Sequence, residues 1–314
     1  LQYRYGKAAL VAAFFVSDAC MTTTAIIGPG ALGGTIAAWP AQDPDHAITV
    51  CARTPFSSLR VQTPIGVLTA EPIILTSAHD AEPVDWVIVA TKAYDVASTA
   101  PWLNALVGPT TQVAVLQNGV EHVWRFTGLL PENIIVPAVA DIPASRSAPG
   151  QIVQDRLGWI VVPAGTSGAD FAALFKLSKI DVTAVDDWTT RAWRKLCLNC
   201  AGAVTTLTMR ATGPVWSAEI EAMVRGLVSE CIAVGRADGA VLEDLLVEEI
   251  VDSARRAPEG SSNSMYADRL VGRPIELDAR NGVIVRLGQK RGIATPTNSL
   301  FVALLSASGS PWVS

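Results

Sequence analysis

Histidine is scarce in this chain of 314 residues: His46, His79 and His122 are the whole supply. Three scattered imidazoles make a histidine metal cluster or a histidine acid–base pair hard to assemble. Any proton donor must therefore be sought among Lys, Tyr and the carboxyl groups. A run of basic residues is missing too. The 24 Lys and Arg are outnumbered by 29 Asp and Glu, for a net charge of -5. That balance argues against nucleic acid and against an anionic membrane surface as partners. No apolar run approaches the ~20 residues that cross a bilayer. Residues 8–16, after Arg4 and Lys7, have only the outline of a signal peptide. The chain opens at Leu1, and Met21 reads as the start, with residues 1–20 an upstream extension. The five cysteines (Cys20, Cys51, Cys197, Cys200 and Cys231) are odd in number and unevenly spread. They read as reduced thiols in a cytoplasmic protein, not as a disulfide framework. Internal repeats and low-complexity linkers are also missing.

What the chain does have is apolar material: half its residues are hydrophobic and 17% are charged, enough for a sizeable core. The first half alternates short β-branched runs with helix-like segments. TAIIG (24–28), AITVCAR (47–53), WVIVATK (86–92), TQVAVLQNG (111–119) and IIVPAVA (134–140) are the strand candidates. Strands this continuously apolar are covered on both faces, which predicts a mainly parallel sheet flanked by helices. GQIVQ (150–154) and GWIVVP (158–163) read as an antiparallel pair closing this first domain. Beyond Asp187, a plausible helix cap, the pattern becomes helical: 187–201, 215–238, 243–256, 274–291 and 296–306. The expected organisation is an α/β domain over 21–186 followed by an all-helical domain over 187–314.

GPGALG, residues 28–33, places G-x-G-x-x-G between a strand and a helix. In that context the first glycine allows a tight turn, the second lets a pyrophosphate approach, and the third lets helix and strand pack closely. Gly28, Gly30, Ala31, Leu32 and Gly33 are thus expected to cradle a dinucleotide at a helix N-terminus. The second strand ends in VCART, with Arg53 where an NAD site has a carboxylate. A guanidinium there suits a 2′-phosphate, so the cofactor is expected to be NADPH/NADP. Two further strand ends face the same crevice, one leaving Lys92 in TKAYD and the other Asn118 in LQNGVE.

In the second half Lys195 and Asn199 stand four apart in an apolar helix, RAWRKLCLNCAGAV, and so share a face. Cys197 and Cys200 form C-x-x-C, but no second ligand pair follows at zinc spacing. They read as buried thiols, and no metal site is expected.

GPGALG, TKAYD, QNGVE, WRKLCLN and SMYADRLVGRPIELDARNG, in this order and spacing, resemble the ketopantoate reductase (2-dehydropantoate 2-reductase) family from about residue 24 to the end. The resemblance implies a Rossmann-type domain, then a helical domain, with NADPH-dependent reduction of a 2-keto acid in the cleft between them. It implies Lys195 as the catalytic lysine, Glu276 as the active-site glutamate, and Asn118, Asn199 and Ser264 as substrate contacts. Lys92 and Asn118 would lie at the nicotinamide end, and Arg53 would read the phosphate. The partner is a small 2-keto acid, and the protein a monomer or homodimer. Two positions depart from the family pattern. Ala203 stands where members carry a second asparagine, and Asn263-Ser264 replaces a serine pair. A related NADP-dependent hydroxyacid dehydrogenase with another substrate, or a non-catalytic NADPH-binding sensor, remain the competing readings.

Overall fold

A computed structural model describes residues 21–211, 217–258 and 260–308. The extension 1–20 and the proposed helix start at Val215 lie outside the described residues. The first part runs β1 (Thr22–Ile27), α1 (Ala31–Ala38), β2 (His46–Cys51), the hairpin β3 (Leu59–Thr63) and β4 (Gly66–Ala70), β5 (Ile73–Leu75) and β6 (Val84–Val89). It continues through α2 (Ala100–Leu106), β7 (Val107–Val115), β8 (Ile135–Pro137), β9 (Val139–Asp141), β10 (Ala144–Ala148), β11 (Gln151–Gln154), β12 (Trp159–Pro163), α3 (Thr166–Ala173) and β13 (Asp181–Val185).

Six strands form one parallel sheet in the order β5-β2-β1-β6-β7-β8. The order reverses at β1 and β6, which opens a crevice beyond their carboxyl ends. β1 explains why its sequence is apolar throughout. Ile26 packs into the core on one face with Ile36, Val50 and Phe171, while Ala25 and Ile27 pack into the core on the other with Val87 and Leu103. Helix α1 has no polar face either, because the four-stranded sheet β10-β11-β3-β4 covers its outer side.

Two sequence expectations need correction here. IIVPAVA is two strands: β8 ends the large sheet, and after Ala138 the chain turns to pair β9 with β12. GQIVQ and GWIVVP are not partners. β11 lies between β10 and β3, whereas β12 lies between β9 and β13 in a separate sheet. Apolar alternation identifies a strand, but the strand opposite it is chosen by distant residues.

After β13 every described element is helical: α4 (Trp188–Ala201), α5 (Ala203–Thr208), α6 (Ala218–Ala237), α7 (Leu246–Arg256), α8 (Ser264–Leu270), a π turn (Asp278–Gly282), α9 (Val283–Arg291) and α10 (Pro296–Ala307). Asp187 does not cap α4. Its carboxylate accepts from Arg191 Nε at 3.0 Å instead. The stretch 274–291 is not one helix, since the wide π turn precedes α9. Trp193 and the pairs Leu196/Cys197 and Cys200/Ala201 put one face of α4 into the helical core beside Leu227 and Cys231, while Ala192 packs against Val139 and Val161 of the sheet domain. Lys195 and Asn199 lie off that face, towards the sheet domain. Among the described residues no helix is long and apolar enough to cross a membrane.

Candidate active site

The glycine loop joins β1 to α1 at the crevice. Gly28 has φ +92, and a Cβ on it would lie 2.8 Å from Thr91 Cγ2. On Gly33 a Cβ would lie 2.3 Å from the Gly28 carbonyl oxygen, so only glycine lets α1 approach the strand end. Gly30 is different: nothing stands within 4 Å of its Cβ position, and the loop is open in front of it. The amides of Ala31, Leu32 and Gly33 open α1, whose first turn carries no acidic residue to cancel the positive helix end. Arg146 reaches over from β10 and donates to the Pro29 carbonyl at 3.3 Å. Open space, unpaired amides and a nearby guanidinium fit a pyrophosphate. The end of β2 offers no carboxylate. Arg53 stands there with its side chain 93% exposed, its closest acidic oxygen being Asp95 Oδ2 at 4.0 Å. So exposed and long a pairing leaves the guanidinium available.

Lys92 and Asn118 leave the ends of β6 and β7 and meet Glu276 from the helical half. Glu276 is buried and takes Lys92 Nζ at 3.2 Å, the Ala93 N–H at 3.1 Å and Asn118 Nδ2 at 2.9 Å. Burial works to raise its pKa, but Lys92, Arg280 and these donors outweigh it and hold the carboxyl below its usual range. Lys92 also donates to Asp268 Oδ2 at 2.7 Å. Burial works to discharge this amine, yet Glu276 and Asp268 keep its pKa above the ordinary value. A carboxylate only accepts, so Asn118 must turn its amide nitrogen to Glu276 and its oxygen outward. That oxygen receives Asn199 Nδ2 at 3.3 Å, leaving the Asn199 oxygen free to accept. Gly119, at φ +100, makes the turn beneath Asn118.

Lys195 and Glu276, the two residues expected to be catalytic, do not pair with each other. Lys195 Nζ donates to Asp141 Oδ1 at 2.5 Å, at the end of β9. Its side chain is 15% exposed, and its nitrogen lies 6.0 Å from the centre of the Trp159 ring. Burial lowers the pKa of the amine, and Asp141 offsets only part of that shift. Asp141 itself, also bonded by Arg156 at 2.8 Å, is held below its usual range despite its burial. Lys195 and Asn199 share a small cavity of 50 Å³ with Leu32 of the glycine loop, Gln117 and Asn118.

Ser264 stands one step away. It begins α8 and accepts from Arg280 Nη2 at 2.6 Å, with no direct bond to the lysines. Asn263 is a helix cap: its side-chain oxygen accepts from the amides of Met265 and Tyr266, and its nitrogen donates to the Gly202 carbonyl and Thr205 Oγ1. Ala203 is fully buried in the helical core. Sequence reasoning passed over Asp141, Asp268 and Arg280. Asp141 follows a strand end, Asp268 lies four after Ser264, and Arg280 lies four after Glu276, the same spacing that singled out Asn199. Cys197, Cys200 and Cys231 are free thiols buried in the core. Among the described residues no three His, Cys, Asp or Glu side chains are arranged to hold a metal.

Comparison with known proteins bears on this geometry. Residues 24–167 match the family described as ketopantoate reductase PanE/ApbA, and residues 187–308 match ketopantoate reductase PanE/ApbA C terminal. The 2-dehydropantoate 2-reductase of Caulobacter vibrioides is 55% identical over 287 residues, covering 91% of this chain and 99% of the relative. That of Mycobacterium tuberculosis is 37% identical over 288 residues, covering 91% and 97%. Among solved structures, the PanE/ApbA family ketopantoate reductase of Ralstonia eutropha superimposes with a TM-score of 0.83 at 30% identity, covering 91% of this chain and 98% of its own.

Proposed function

This chain belongs to the ketopantoate reductase family, and we propose from that premise that it is an oxidoreductase that reduces ketopantoate (2-dehydropantoate) to pantoate with NADPH. One observation carries the reading. The mostly buried amine of Lys195 shares a cavity wall with Leu32 of the glycine loop and with the amides of Asn118 and Asn199. The glycine loop from Gly28 to Gly33 holds the pyrophosphate, Arg53 takes the 2′-phosphate, and Lys92 and Asn118 line the way to the nicotinamide. When bound, the cofactor supplies a hydride to the ketone carbon.

The side chains of the chain do the rest. Reduction builds negative charge on the former carbonyl oxygen, and the Lys195 ammonium is the cation that faces it and gives it a proton. Partial desolvation makes that proton easier to release, while Asp141 keeps the amine charged until it is needed. Asn199 offers its free oxygen to a substrate hydroxyl, and Ser264 takes a polar group further along. Glu276 stays ionised and acts through its neighbours, as a positioning residue that fixes Lys92 and the orientation of Asn118. The labour divides along the chain, with residues 21–186 serving the cofactor and those after 187 the substrate. The same reading makes this a cytoplasmic enzyme, working as a monomer or homodimer.

The test is the loss of NADPH absorbance with ketopantoate and a panel of other 2-keto acids. Wild type turns over ketopantoate in preference to the others. Lys195→Ala lowers kcat by about 10²- to 10⁴-fold while NADPH still binds. Undiminished turnover in Lys195→Ala overturns the mechanism, and preference for another keto acid overturns the substrate.

A further inference from the structure

Lys92, Lys195 and Arg280 are cations of the cleft region, and they differ in how they are neutralised. Lys92 has Asp268 and Glu276, and Lys195 has Asp141. Arg280 is 3% exposed, yet no carboxylate oxygen among the described residues lies within 4.0 Å of it. Its Nη2 donates to Ser264 Oγ at 2.6 Å, whereas among the described residues Nε is buried without a partner and Nη1 makes no hydrogen bond. A guanidinium has five N–H donors, and here one is used. A charged group left so is costly to bury, and such groups are otherwise paired. Glu276 and Asp268 act on Arg280 only from a distance, and Lys92 already holds both.

The position of Arg280 says which anion is missing. It lies in the π turn four residues after Glu276, and its charge is felt by both Lys92 and Lys195, so it belongs to the same cleft. Wide helical turns of this kind recur at functional sites. Ser264 is exposed, and its oxygen is occupied in accepting from Arg280. Its own O–H proton is therefore directed elsewhere, and is available to an acceptor from outside the chain. We propose that Arg280, together with the Ser264 hydroxyl, binds the carboxylate of the keto acid. A carboxylate is planar and presents two oxygens to the parallel N–H groups of a guanidinium. Held there, the neighbouring carbonyl is directed towards Lys195. This assignment rests on the reading of the cleft as a 2-keto acid site.

Calorimetric titration of the NADP-loaded protein with pantoate and with its neutral lactone tests it, because comparing two ligands in one protein cancels general damage. Wild type should prefer pantoate by at least roughly tenfold, Arg280→Met should bind both alike, and Arg280→Lys should restore part of the preference. In turnover, the KM for ketopantoate in Arg280→Met should rise about 10- to 100-fold, with kcat changed far less. A structural role alone would lower the melting temperature of Arg280→Met and leave the preference intact. That result overturns the proposal, as does a wild type with no preference for pantoate. Ketopantoate turnover, read on the same wild-type preparation, judges the substrate assignment separately.

Discussion

Lys195 sits between two opposing influences: burial lowers its pKa, and Asp141 raises it. Replacing Asp141 with Asn removes the second and leaves the first. The pKa of Lys195 falls further, so the protonated amine is lost at a lower pH. The alkaline limb of kcat/KM against pH should move acidward in Asp141→Asn. An unmoved limb would mean that the amine is not the titrating group. The pairing was beyond sequence reasoning because 54 residues separate the partners. Lys195 and Asn199 were legible as a pair because one turn of one helix places them together, whatever the rest of the chain does.

At the scale of elements, local pattern named the long apolar strands of the large sheet and the longer helices but not their partners or ends, and it passed over β3, β4, β5, β10 and β13. β8 and β9 were joined because their shared apolar run hides the change of sheet at Ala138. The short α8 was passed over, since seven residues show too little periodicity, yet its start is firmly specified. Asn263 caps it with two accepted bonds and ties it to α5 with two donated ones. Asn263→Ala should destabilise the protein by about 1–3 kcal/mol, because it removes a cap and leaves a carbonyl and a hydroxyl short of a donor. Urea unfolding measures this, and a loss below about 0.5 kcal/mol would show that the cap is dispensable.

At the scale of the molecule, the two halves are tied by ion pairs that run in opposite directions. Lys92 of the sheet domain reaches acids of the helical one, and Lys195 of the helical domain reaches Asp141 of the sheet domain. His122 lies at the same seam, against Trp188 and bonded to the Gln117 carbonyl. Burial, and then the charge of Arg125, push its pKa down to about 3. The unfolded chain takes up that proton near pH 6.5 and the folded one does not. Stability is therefore undiminished above that pH and falls as the pH drops towards 3, by about 1.4 kcal/mol per unit. Urea unfolding at pH 7 and pH 5.5 should show a pH-dependent loss about 1 kcal/mol smaller in His122→Gln than in wild type. Equal losses would mean that another group titrates.

Sequence alone determined what depends on neighbours along the chain. It specified the buried parallel strands, the glycine loop opening a helix, the arginine at the second strand end, and the lysine and asparagine on one helix face. Only the tertiary structure decided which charges meet. Asp141 serves Lys195, Glu276 serves Lys92 and Asn118, and Arg280 bonds Ser264 with no acid of the described residues within 4.0 Å. Periodicity is a property of a few consecutive residues. A buried charge, by contrast, finds its partner across the fold, where distance and lost solvent set its energy.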